Sequence, residues 1–161
     1  MDLEKHSIKA QEKLKENKKL VQKLKKRKPK DLDEMTHQLH EEAFEQIDCL
    51  DCASCCTSIS PIVRDKDIQR IAKHIRIKPS ELVDKYLALD HEGDYVFRSQ
   101  PCPFLGPDYY CSIYSVRPKA CAEYPHTDRP KFHQILDLSL KNTKICPAVL
   151  AVFEGLKEHY Q

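Results

Sequence analysis

The stretch Cys49-Leu-Asp-Cys-Ala-Ser-Cys-Cys56 places four thiols within eight residues, two of them adjacent. The other four cysteines, Cys102, Cys111, Cys121 and Cys146, all follow it, and none of the eight lies in residues 1–48. The 161-residue chain holds three glycines, five phenylalanines and no tryptophan, so its apolar core is modest and a further stabiliser is expected. Thiols supply one as disulfides or as metal ligands, and the compartment decides between the two. The first twenty residues carry no apolar stretch of the secretory kind, and no run of about 18 apolar residues marks a membrane span. The expected location is therefore cytoplasmic, where thiols stay reduced. Metal ligation is expected ahead of redox thiol chemistry, and both ahead of structural disulfides.

The spacing Cys49-x-x-Cys52-x-x-Cys55 has a physical logic. A two-residue spacer lets the backbone curl so that three sulfurs turn toward one point. Ferredoxin-type clusters use this triplet with a remote Cys-Pro, and two such pairs occur here, Cys102-Pro103 and Cys146-Pro147. Zinc sites more often use separate C-x-x-C pairs. Cys56 complicates a single mononuclear site, because adjacent residues point their side chains apart. The open outcomes are two neighbouring centres, one polynuclear cluster, or one ligand beside a non-ligating thiol. One partition puts Cys49, Cys52, Cys55 and Cys146 around one centre and Cys56, Cys102, Cys111 and Cys121 around another. Thiolates are soft ligands that select zinc, Cu(I) or iron–sulfur clusters. An iron–sulfur cluster is the favoured cofactor; the rival is zinc in a structural role, supplying folding free energy.

Around the later cysteines, Arg117 and Lys119 flank Cys121 and are candidates to offset thiolate charge. Tyr109, Tyr110, Tyr114 and Tyr124 crowd the same segment. Tyr114, Arg117 and Tyr124 are the expected supporting residues, with aromatic shielding of the sulfurs ahead of hydrogen bonding to them. His37, His40 and His126 are further possible ligands, read as polar surface residues because eight cysteines suffice. Glu123 and His126 are the acid–base candidates for a catalytic reading, and a polar loop around the cysteines is the stronger one. Catalytic residues are otherwise unknown.

Working outward, the fold class expected is mainly α with short irregular and β segments: a small metal-stabilised cysteine-rich domain at 31–161 preceded by a basic helical arm at 1–30. Residues 1–30 hold 12 Lys/Arg against 4 Asp/Glu, a charge of +8, whereas residues 31–161 hold 15 against 21, a charge of −6. Residues 3–28 contain good helix formers and no Gly or Pro. Leu3, Ala10, Leu14, Val21 and Leu24 fall on heptad positions that Ser7 and Asn17 interrupt, so the arm is read as a solvated, fraying helix ended by Pro29. Met35, Leu39, Ala43, Phe44 and Ile47 predict a helix over 32–47. Ile68, Ile71, Ala72 and Ile75 predict a third, with Asp65 as its N-cap. Leu82, Val83, Tyr86 and Leu87 share one face of a fourth. A turn and short strand follow at "GDYVFRSQPCPFL", residues 131–142 fit strand or helix equally, and Pro147 opens a closing helix with Val149, Val152, Phe153, Leu156 and Tyr160 buried.

The arm is a candidate docking element for a protein partner. It has no Phe, Tyr or Trp to stack on bases, which argues against nucleic acid. Glycines at 93, 106 and 155 build no phosphate-binding loop, so no nucleotide cofactor is expected, and no membrane partner is either.

"CLDCASCC", "CPFLGPDYYCSIYSVRPKACAEYP" and a late "CP" together resemble the YkgJ-type cysteine cluster family, described as zinc- or iron-chelating and often labelled an iron–sulfur oxidoreductase. The matching positions are Cys49, Cys52, Cys55 and Cys56; Cys102, Phe104 and Leu105; Cys111, Ile113, Tyr114, Arg117, Pro118 and Cys121; Tyr124 and Pro125; and Cys146. The resemblance implies metal chelation and little more; the leading reading of the residues is thiolate ligation by the eight cysteines, with electron transfer, redox or metal sensing, or an accessory role to another protein. The resemblance implies no particular reaction. The alternative is a non-enzymatic zinc module whose basic arm docks on a protein or nucleic acid.

Overall fold

A computed structural model describes residues 2–161, and 62% of the chain is helical. The chain forms two compact units: the chain up to Cys52 together with Pro125–Gln161, and Ala53–Tyr124.

In the first unit, α1 (Leu3–Arg27) and α2 (Leu32–Gln46) are joined by a tight turn. Lys28 takes the left-handed conformation there, its N–H bonded to Leu24 O, and Pro29 prevents continuation. After α3 (Cys49–Cys52) the unit resumes with a 3₁₀ turn at Phe132–Ile135, then α8 (Leu136–Asn142) and α9 (Pro147–His159). The segment whose pattern fitted strand or helix is therefore helical from Phe132 onward.

The stripe on α2 and that of the closing helix, each expected from its own spacing, pack together. Ala43 and Leu32 pack with Val149, Val152, Phe153 and Leu156, and Met35, Leu39, Phe44 and Ile47 border them. Gly155 permits the close approach of α9 to α2, since a Cβ there would stand 2.3 Å from Leu39 Cδ2.

The first helix departs from the solvated reading. Ala10, Leu20, Val21 and Leu24 are buried, and α1 packs on both α8 and α9. Its lysines complete the attachment: Lys25 Nζ lies 2.5 Å from Asp137 Oδ2, and Lys23 Nζ donates to Tyr160 O. The stripe is narrow because Asn17, on the buried line, breaks it in the sequence; the side chain is 0% exposed all the same.

The second unit carries α4 (Ser54–Ser58), α5 (Asp65–Ile75), α6 (Pro79–Tyr86) and α7 (Lys119–Glu123), with strands β1 (Leu87–Leu89) and β2 (Tyr95–Phe97). The strands pair antiparallel in the register Leu87 to Phe97 and Leu89 to Tyr95. Ile68, Ile71, Ala72 and Leu82 form its core with Leu87, Phe97, Phe104, Ile113 and Val63. Two local readings are corrected. Leu87 is not the last residue of a helical face; its backbone is already extended, and it is buried as the first residue of β1. Asp65 is not the N-cap of α5. Arg64 occupies that position, and Asp67, three residues on, accepts from Arg64 N at 2.9 Å. That is the backward-reaching half of a capping box.

Candidate metal centre

The cysteine-rich stretch folds as two short helical turns. Asp48 starts the first: its carboxylate accepts from Leu50 N at 2.8 Å, and its carbonyl from Asp51 and Cys52 N. Ala53, left-handed at φ 50°, breaks the chain between α3 and α4. No cysteine is in a disulfide; Cys49 is exposed and the other seven are partly buried.

Within the second unit, Cys56, Cys102, Cys111 and Cys121 come close enough for their charges to oppose one another. Cys102 N donates to Cys56 O at 2.7 Å, which ties the first cluster to the later ones. Leu105 and Cys111 face each other across a one-residue bridge, and Ser112 N and Oγ both donate to Phe104 O at 2.9 Å. These bonds fold the loop from Cys102 to Cys111 back on itself. Cys121 sits on α7, whose first turn is closed by Cys121 N bonding to Pro118 O.

Burial, with the nearby Cys102, Cys56 and Cys111 charges and against the pull of Arg117, raises the Cys121 thiol to about 12. Burial likewise raises Cys102 to about 11, and it raises Cys111, each with opposing backbone N–H groups and added repulsion from Cys56. Cys56 moves the other way: a hydrogen bond from the Cys55 thiol brings it down to about 7. In the first unit, burial raises Cys146 to about 11, the N–H groups of Val149 and Ala148 at the start of α9 oppose it, and Cys52 and Cys49 add repulsion.

One local device recurs at three of these sulfurs. The backbone N–H of Phe104 draws the Cys102 thiol down, that of Ile113 the Cys111 thiol, and that of Ala148 the Cys146 thiol. Each donor lies two residues after its cysteine, so the chain wraps over the sulfur and favours its thiolate. The Cys-Pro pairs were visible in sequence, but this shared i+2 wrapping was not.

The supporting residues divide. Arg117 draws down both the Cys111 and Cys121 thiols. Its guanidinium is fixed by donating to Tyr114 O at 2.7 Å and by lying 4.0 Å from the centre of the Tyr114 ring. Lys119 instead turns to Glu123, 3.4 Å away, so that carboxylate is engaged in an exposed ion pair. Tyr109 and Tyr110 are 63% and 45% exposed. The apolar cover over Cys102 and Cys111 comes from the core containing Phe104 and Ile113, not from these tyrosines as the sequence suggested. Tyr124 is partly buried. Among the histidines, His37 is exposed, His126 is partly buried, and His40 bonds through Nδ1 to Thr127 Oγ1 at 2.7 Å.

Sequence reasoning missed Asp67, which is 2% exposed. Besides Arg64 N it accepts from Arg70 Nη2 at 2.7 Å and Lys119 N at 3.1 Å, and Arg70 Nη2 also donates to Arg117 O at 2.8 Å. One buried carboxylate thus pins the start of α5 to the segment that carries Arg117 and Cys121. Its only sequence signal is the spacing of three from the residue before the helix.

The donor set is all sulfur and, Cys49 apart, partly buried, with backbone N–H groups and the Arg117 charge drawing several of the thiols down. That chemistry fits a soft or borderline cation and does not suit Mg or Ca. The fold and these residues together define a small helical protein with a metal-chelating cysteine region. The chain belongs to the CxxCxxCC family, described as "Putative zinc- or iron-chelating domain", which it matches over residues 48–147 and therefore over all eight cysteines. No curated protein and no solved structure matches it. Among the described residues no helix is long and apolar enough to cross a membrane.

Proposed function

We propose that the chain holds a thiolate-ligated iron–sulfur cluster in preference to zinc, with Cys49, Cys52, Cys55, Cys56, Cys102, Cys111, Cys121 and Cys146 as the ligand pool. Its role is electron transfer, redox or metal sensing, or service to a partner protein in the cytoplasm. The observation that carries metal ligation is the crowding of Cys56, Cys102, Cys111 and Cys121. Burial and the charges of their neighbours disfavour the thiolates of Cys102, Cys111 and Cys121, and a bound cation offsets both at once. The Cys49-x-x-Cys52-x-x-Cys55 triplet with two Cys-Pro pairs supports the cluster over zinc. No observation supports a particular reaction.

The rival is a zinc-stabilised docking module. With the apolar stripe of α1 buried, such docking would use its exposed lysines, Lys9, Lys15 and Lys18 among them. One experiment separates the two: an absorbance spectrum of anaerobically purified protein, with metal and acid-labile sulfide analysis. Iron and sulfide in similar amounts, with a brown colour, are expected. Colourless protein with stoichiometric zinc and no sulfide overturns the cluster and leaves the docking module.

A further inference from the structure

The second unit contains a cleft of about 690 Å³ whose walls are mainly charged. Arg64, Lys66, Arg70, Arg117 and Lys119 line it, against Asp65 and Asp67. Five cations against two carboxylates leave a formal charge of +3. Asp67 is buried and already bonded to Arg70, so little of its charge faces a ligand.

The cations are arranged rather than scattered. Arg70 is held by Asp67 and Arg117 O, Arg117 by Tyr114 O and the Tyr114 ring, and the Lys119 backbone by Asp67. A ligand meeting groups already fixed loses little rotamer freedom on binding. Arg64 and Lys66 stand exposed at the rim, with no ion pair among the described residues. Fixed guanidinium forks with the exposed Lys66 ammonium form a donor set suited to phosphate oxygens. The volume falls in the range of small-molecule sites, roughly 300–1,000 Å³. No lining residue is aromatic and Ala122 is the one apolar member, so the cleft offers nothing on which a base would stack.

We propose that this cleft binds a small non-nucleotide molecule carrying two or more phosphate charges, recognised through Arg64, Lys66, Arg70 and Arg117. The cleft adjoins the thiols, since Arg117 also draws down Cys111 and Cys121, but its recognition of phosphate does not depend on which metal they hold.

The test is calorimetric titration of the full metal-loaded chain with a hexose bisphosphate at physiological ionic strength. Succinate serves as the carboxylate arm. Saturable one-to-one binding of the bisphosphate is expected, with succinate at least about tenfold weaker. The Arg64→Gln/Lys66→Gln double variant, whose changes lie on exposed side chains, is expected to lose about tenfold or more in affinity, with its melting temperature retained. Lys9→Gln/Lys18→Gln on α1 removes equal charge from the other basic surface and is expected to leave affinity within about twofold. Absence of saturable binding overturns the proposal. Equal losses in the two double variants also overturn it, because binding would then be diffuse attraction to positive charge. Succinate binding as tightly as the bisphosphate overturns the phosphate assignment.

Discussion

Asp67→Asn tests whether one buried carboxylate holds the Cys121 segment in place. Oδ1 receives the Arg70 guanidinium and Lys119 N, and Oδ2 receives Arg64 N. Asparagine keeps the shape but turns one oxygen into an NH₂ donor. Its carbonyl belongs on the Oδ1 side, where two of the three donors arrive, so the amide faces Arg64 N–H donor to donor. One hydrogen bond to a charged acceptor is lost, about 1.5–3 kcal/mol, and a buried N–H is left without an acceptor. The Arg70 side chain is 41% exposed, so water screens most of its lost counter-charge and that loss adds little. The net cost is about 2–3 kcal/mol. With an m-value of about 1–3 kcal/mol per molar urea, the unfolding midpoint falls by about 0.7–3 M. Far-UV circular dichroism of the metal-loaded protein in urea reads this directly. A shift below about 0.3 M would show that the three contacts do not fix the segment.

The same carboxylate gives the comparison a pH signature. Burial raises the Asp67 pKa, but the hydrogen bonds from Arg64, Arg70 and Lys119 outweigh it and hold the group below its ordinary value. A depressed folded-state pKa means that the unfolded chain binds the proton more readily. The stabilisation is therefore complete above the unfolded value of about 3.9, and it is lost as pH falls through the lower folded value. The gap between wild type and Asp67→Asn stays constant near neutrality and closes only in that acid range. A gap that closed around pH 6 would assign it to another group.

Asn17 is 0% exposed on α1 and neither side-chain amide atom has a partner. Asn17→Leu, of similar size, is expected to stabilise the protein by about 1–2 kcal/mol, read as a higher melting temperature; an unchanged or lower one contradicts the burial of that helix face. Removing the metal by anaerobic chelation is expected to raise deuterium uptake in α5 and α6 well before α9, because the second unit's core has nine buried apolar residues and the first unit's has twelve. Equal uptake in all three helices would show that the metal does not support the second unit in particular.

What the sequence made legible follows the strength of each local period. α2, α5 and α9 carry four or five apolar residues at helical spacing; those on α5 and α9 are mostly buried, whereas on α2 Ala43 is buried and Met35, Leu39, Phe44 and Ile47 border the core. The stripe on α1 is real but sparse, and Asn17 at its centre hides it; only the neighbours on α8 and α9 reveal that the face is covered. β1 is three residues long, too short for any period, and it exists because β2 returns beside it. At the site, the cysteines announce themselves by type. Asp67 does not, since Asp65 two residues earlier is the same residue on the same helix. Which of the two turns inward depends on Arg70 and Lys119, the latter 52 residues away.

The second unit also explains why so many thiols accompany so few large apolar residues. Apart from α5 and α6, no regular element in Ala53–Tyr124 exceeds five residues. Much of the unit is therefore loop, whose ordering entropy is not offset by long runs of backbone hydrogen bonds or by burial. Cys56, Cys102, Cys111 and Cys121 lie in that loop-rich part, and without a cation the thiolates of Cys102, Cys111 and Cys121 are disfavoured by burial and by the charges of their neighbours. If a metal joins them, it closes the long loop from Cys56 to Cys102 and the two shorter ones that follow, restricting the unfolded chain as a cross-link does. The same event removes the repulsion that the apo thiolates would suffer. Metal affinity and fold stability are then one free energy seen from two sides. On that reading the wrapped N–H groups, the fixed Arg117 and the buried Asp67 are parts of a single device that presents thiols in a geometry favourable only once they share a positive charge.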